Sequence, residues 1–102
     1  MLNPLILTKN KMEEISVSQM PAFKKVFKKL HENQKEEVKK AIKKIIRNPE
    51  LGTPKKGDLS GVYVYKFKIK NQEYLLAYEW VPEERVLLAL GVHENFYRNL
   101  KR

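Results

Sequence analysis

From Val62 to Lys70 the chain reads Val-Tyr-Val-Tyr-Lys-Phe-Lys-Ile-Lys, a pattern of period 2. Tyr63, Tyr65, Phe67 and Ile69 fall on one side, and Val62, Val64, Lys66, Lys68 and Lys70 on the other. The spacing predicts a β-strand with one apolar face and one face bearing a ladder of cations. β-Branched and aromatic residues suit such a pleated surface. A second strand is predicted from Tyr74 to Val81. A third, Arg85 to Val92, is apolar enough for the middle of a sheet. A brief alternation from Ile15 to Val17 predicts a short first strand.

Between these strands the period changes to that of helices. Phe23, Val26, Phe27 and Leu30 stand at i, i+3, i+4 and i+7, with Pro21 suited to the first turn. Val38, Ala41, Ile42, Ile45 and Ile46 repeat the stripe in a second helix, from about Gln34 to Arg47. His31 to Asn33 read as a connector, with His31 solvated or capping the end of the first helix. Glu36 and Lys40 are expected to pair at i,i+4. Asn48-Pro49 ends the helix, and Lys55 to Gly61 is a turn-rich lead-in to the lysine strand. Helices this short do not persist alone. The hairpin is therefore expected to lie on the aromatic face of the sheet and to leave the lysine face uncovered. The final stretch, His93 to Arg102, predicts a short basic helix.

Residues 1–12 are weakly patterned and interrupted by Pro4; they read as an N-terminal arm ahead of one domain, 13–102. The element order is β-α-α-β-β-β-α. That predicts an α+β fold, a helical hairpin packed on a mainly antiparallel sheet.

Composition adds the partner class. The chain has 102 residues, with 21 Lys and Arg against 12 Asp and Glu, for a net charge of +9. A small domain this basic meets polyanions. There is no cysteine, which excludes disulfides and thiolate chemistry. With two histidines besides, no metal or other cofactor is expected. No stretch approaches the roughly 20 apolar residues of a membrane span, and the opening Met-Leu-Asn-Pro-Leu-Ile-Leu lacks the features of a signal peptide. The expected location is the cytoplasm.

On the uncovered face, Lys66, Lys68 and Lys70 would be joined at the rim by His93, at the end of the last strand, and by Tyr97. These residue types suit RNA cleavage. A base takes the 2′-OH proton, an acid protonates the leaving 5′-oxygen, and cations hold the crowded phosphate charge. Histidine titrates near neutrality, and neighbouring lysines lower a tyrosine pKa. The plainer alternatives are a solvated lysine face, a Tyr97 packed on the sheet with a wet hydroxyl, and a His93 bonded to a loop carbonyl.

Leu59-Ser60-Gly61, Tyr65-Lys66-Phe67-Lys68-Ile69-Lys70 and Tyr74-Leu75-Leu76-Ala77-Tyr78 together resemble the RelE/ParE superfamily of type II toxin–antitoxin toxins. The ending Gly91-Val92-His93-Glu94-Asn95-Phe96-Tyr97-Arg98 resembles the Gly-x-His-x-x-x-Tyr/Phe ending of YafQ-like members. The resemblance spans about residues 13–102. It implies a small toxin neutralised by a cognate acidic antitoxin. RelE-like members cut mRNA on the ribosome without metal and leave a 2′,3′-cyclic phosphate; ParE-like members poison DNA gyrase. Carried onto this chain, the resemblance implies Lys66, Lys68, His93 and Tyr97 as catalytic residues. Lys55, Lys56, Lys70 and Arg98 are the accompanying RNA-binding candidates. There is one departure: Leu75 stands where RelE has an active-site arginine, so either Arg98 or Arg85 supplies that charge or catalysis is weaker.

Overall fold

The computed structural model describes residues 15–92 together with Phe96 and Leu100; the expected N-terminal arm lies outside them. Strand β1 (Ser16–Gln19) leads into helix α1 (Pro21–Phe27) and helix α2 (Glu32–Arg47). A 3₁₀ turn at Pro49–Leu51 is followed by β2 (Thr53–Pro54) and a second 3₁₀ turn at Gly57–Leu59. Three long strands then follow: β3 (Tyr63–Ile69), β4 (Gln72–Val81) and β5 (Glu84–Gly91). The strands form one sheet in the order β1-β5-β4-β3-β2. The last three make an antiparallel meander. β1 returns to the sheet parallel to β5, with Ser16 opposite Glu84. The α+β architecture expected from the sequence is the one observed, with one added strand. β2 pairs Thr53 with Val64 and Pro54 with Tyr63; two residues, one of them proline, carry no periodicity to read.

Pro21 begins α1 with its preset φ and its missing N–H, both harmless in a first turn. α2 begins earlier than its hydrophobic stripe because the His31 backbone N–H donates to the Gln34 side chain at 2.8 Å. That closes the first turn. His31 therefore caps the start of α2, not the end of α1. The surface ion pairs are at i,i+3: Glu32 with Lys35 at 3.7 Å, Glu36 with Lys39 at 3.5 Å, and Glu37 with Lys40 at 3.2 Å. Glu36 thus takes Lys39 as its partner in place of the expected Lys40. Each such exposed pair contributes a few tenths of a kcal/mol.

The hairpin buries Phe23, Val38, Ala41 and Ile45 against Ile69, Tyr74, Leu76, Tyr78, Leu87 and Leu90, with Tyr63, Tyr65 and Phe67 at the margin. This is the aromatic face of β3, as its period predicts. Two polar side chains bind α2 and its exit to this core. Arg85 is 3% exposed. Its guanidinium donates to the carbonyls of Ile45 at 3.1 Å and Ile46 at 2.9 Å, at the negative end of the α2 dipole, and to Val81 at 2.7 Å. Burial lowers its pKa from the ordinary arginine value. The Tyr78 hydroxyl donates to the Pro49 carbonyl at 2.6 Å and accepts from the Gly52 N–H at 3.0 Å. Burial raises its pKa above 10.0. A Cβ at position 52 would come within 2.8 Å of that hydroxyl, so the loop approaches this closely because residue 52 is glycine.

The opposite sheet face departs from expectation. It is not left open: Val62, Val64, Leu75, Ala77 and Ala89 form a second core with Phe96 and Leu100. The reason lies in β3 itself, whose second face is valine at its start and lysine towards its end. The valine half, widened by Leu75 and the two alanines, requires cover; the lysine half remains in water.

Candidate functional site

Lys66 and Lys68 lie on the water-facing half of that second face, and both are exposed. They are two residues apart on one strand, so their Cα atoms are roughly 7 Å apart. Across the sheet, Lys66 pairs with Leu75 and Lys68 with Glu73. Leu75 pairs on its other side with Gly91. The row Lys66, Leu75, Gly91 therefore runs from an exposed cation through a fully buried leucine to the end of β5. Two ammonium groups so placed fit the charge of a phosphate bound over the strand.

Just beyond Gly91, the Phe96 N–H donates to the Val92 carbonyl at 3.0 Å, and Phe96 and Leu100 seal the face over Leu75. His93, Tyr97 and Arg98 lie outside the described residues; of the described positions near them in sequence, Phe96 and Leu100 share the second core with Leu75, and Val92 packs against the hairpin-side core.

Lys70 is a correction. It is not a third rung of the ladder, because β3 ends at Ile69. It occupies the two-residue turn into β4 with a φ of 56°, in the left-handed region that disfavours side chains. Lys55 and Lys56 lie at the other end of β3, a strand roughly 20 Å long. Lys55 is half-buried, with its backbone N–H donating to the Val62 carbonyl at 2.8 Å, and Lys56 is exposed. The RNA-binding candidates among the described residues therefore do not form one patch.

Arg85 does not supply the missing arginine charge. It lies on the hairpin face of the sheet, and its donors are committed to the end of α2. Leu75 is a leucine because its side chain is part of the second core, at 0% exposure. The sequence marks Lys40, Lys43 and Lys44 as part of a cationic helix face, and the structure adds what that face stands against. Lys40, Lys43, Lys44 and Arg47 line a groove with Tyr65 and Phe67. Their i, i+3, i+4, i+7 spacing on α2 was the available signal. Among the described residues, no group of three or more His, Cys, Asp or Glu side chains is placed to hold a metal ion. No helix among them is long and apolar enough to cross a membrane.

The family model described as ParE-like toxin of type II bacterial toxin–antitoxin system matches residues 17–101. No curated protein is similar enough in sequence to count as a match. Among solved structures, the chain is similar to the RelBE2 toxin–antitoxin complex of Mycobacterium tuberculosis, with a TM-score of 0.65 at 19% identity over 78% of this chain and 99% of that one. It is also similar to the intact E. coli RelBE toxin–antitoxin complex, with a TM-score of 0.63 at 20% identity over 78% of this chain and 98% of that one. The isolated E. coli RelE toxin gives a TM-score of 0.61 at 20% identity, over 78% and 85%.

Proposed function

We propose that this chain, which belongs to the ParE-like toxins of type II bacterial toxin–antitoxin systems, is an endoribonuclease that cuts mRNA on the ribosome. The observation that carries this reading is the pair of exposed lysines, Lys66 and Lys68, standing beside the row that ends where β5 leads towards His93 and Tyr97. In the proposed reaction the 2′-oxygen attacks the adjacent phosphorus as its proton passes to a base. The bond from phosphorus to the 5′-oxygen breaks, and an acid returns a proton to that oxygen. The products are a 2′,3′-cyclic phosphate and a 5′-hydroxyl. His93 and Tyr97 share the two proton transfers, and Lys66 and Lys68 stabilise the charge on the phosphoryl oxygens.

The neutralising partner is an acidic antitoxin that orders on this basic surface. Two of the similar solved structures are toxin–antitoxin complexes by their own descriptions.

The test is induction of the toxin in cells with mapping of mRNA ends. Translation should stop promptly, with mRNA cut within coding regions. His93→Ala and Tyr97→Phe should each lower cleavage by about 10²–10⁴-fold. Folded, fully toxic forms of both variants would defeat the reading.

Leu75 favours a second reading. It fills with packed hydrocarbon the position at which nuclease relatives carry a cation, so a toxin that inhibits DNA gyrase without cutting RNA is the alternative. Gyrase-linked DNA breaks and filamentation, with mRNA intact, would decide for it.

A further inference from the structure

On the hairpin side of the sheet, α2 and β3 are separated by a groove of about 430 Å³, within the ~300–1,000 Å³ range of ligand sites. Its floor is formed by Tyr65 and Phe67, whose rings lie 6.0 Å apart between centroids and within 16° of parallel. Its wall is the stripe Lys40, Lys43, Lys44 and Arg47 on α2. Glu37 is the acid among the lining residues, and it is already paired with Lys40 at 3.2 Å.

The remaining lip is Lys68, which also belongs to the lysine face of β3. Beyond Val64, β3 has no strand beside it on this edge among the described residues. The thickness of one strand therefore separates the groove from the lysine pair, and Lys68 borders both.

A wall of cations fits any polyanion. The near-parallel rings beside it narrow the choice, because nucleobases present flat π faces to stack on and carboxylate side chains do not. We propose that this groove binds single-stranded RNA, with bases stacked on Tyr65 and Phe67 and phosphates against Lys43, Lys44 and Arg47. The strand continues over the edge of β3 to Lys66 and Lys68. The proposal rests for its biological sense on the nuclease reading, but the binding itself requires no cleavage. It gives α2 a part in holding the RNA away from the reacting phosphate.

The test uses the purified full chain and a short fluorescein-labelled oligouridine carrying 2′-O-methyl groups, which cannot be cut by 2′-oxygen attack. Anisotropy gives the affinity. Tyr65→Leu and Phe67→Leu keep the apolar packing, remove the π face, and should each weaken binding about tenfold. Lys43→Glu combined with Lys44→Glu should weaken binding and flatten its salt dependence. Circular dichroism checks the fold of each variant. In the unaltered protein, photocrosslinking to a thiouridine-labelled RNA should map to Tyr65 or Phe67, so the result does not depend on a variant folding.

Leucine variants that bind RNA as the parent does, or crosslinks that fall elsewhere, would overturn the proposal. So would ring-dependent binding of a glutamate-rich peptide in preference to RNA. Ring-dependent RNA binding by a protein that cuts no mRNA in cells would sustain the groove and defeat the nuclease reading. Cleavage of mRNA together with ring-independent binding would do the reverse.

Discussion

Lys66 and Leu75 are cross-strand partners on β3 and β4, an exposed cation beside a fully buried leucine. Their juxtaposition marks the boundary between the wet and the covered halves of one sheet face. It also reverses what the family pattern suggests about restoring an arginine. At position 75 a guanidinium would enter the second core among Val64, Ala77, Phe96 and Leu100. Leu75→Arg should cost about 3 kcal/mol or more of stability and lower toxicity, whereas Leu75→Met should cost less than about 1.5 kcal/mol. Urea unfolding and a growth assay on both variants check this.

Lys66 and Lys68 are exposed, so their removal should leave folding stability within about 0.5 kcal/mol. If they hold transition-state charge, Lys66→Ala and Lys68→Ala should each slow mRNA cleavage. The double variant should fall by about 10²-fold or more, on the scale of losing an oxyanion donor. Primer extension on mRNA from induced cells, with thermal unfolding alongside, measures both effects.

Arg85 is a structural cation. Arg85→Met keeps the length of the side chain and leaves the Ile45 and Ile46 carbonyls without their donor. The expected loss is about 3 kcal/mol, typical of bonds to a charged group in a buried site. A denaturant midpoint unchanged from that of the parent would show that α2 is held by packing alone.

Tyr78→Phe removes the bonds to Pro49 and Gly52 and should cost about 1–3 kcal/mol at neutral pH. The raised pKa of Tyr78 sets the alkaline behaviour. The folded protein keeps this proton where the unfolded chain gives it up, so the contribution of the hydroxyl is complete below pH 10 and falls as pH rises above it. The stability gap between parent and variant should therefore narrow above pH 10. Parallel urea titrations at pH 8 and in the alkaline range test the sign.

The left-handed backbone of Lys70 is strained for a residue with a Cβ. Lys70→Gly should gain about 0.5–1 kcal/mol, the part of the roughly 1–2 kcal/mol conformational cost that remains after the extra chain entropy of glycine. The thermal midpoint reads it directly.

Period 2 in β3 carried a great deal of the fold. It identified both sheet faces and, with the helical stripes, which of them the hairpin covers. It carried less of the site, because alternation tells on which side a residue stands and not what else lies there. Phe96 and Leu100, four apart, were a visible helical pair that could have shown the second face to be partly covered. The part of Arg85 was not legible: an arginine opening a strand looks like any solvated charge until the end of α2 is placed over it. Nor was the groove on α2, since its aromatic floor and cationic wall come from segments far apart in the chain.

The parallel pairing of β1 with β5 joins residues 16–19 to residues 84–87. Strand β1 therefore has no strand partner until β5 has been made. Contacts of such long range slow folding, and here they also order it. A nascent chain that ends before β5 has neither the sheet interior nor Arg85 to receive α2. During its own synthesis the toxin is therefore without a finished scaffold until β5 appears. A toxin joined in this way gains its shape only once β5 has emerged to receive β1.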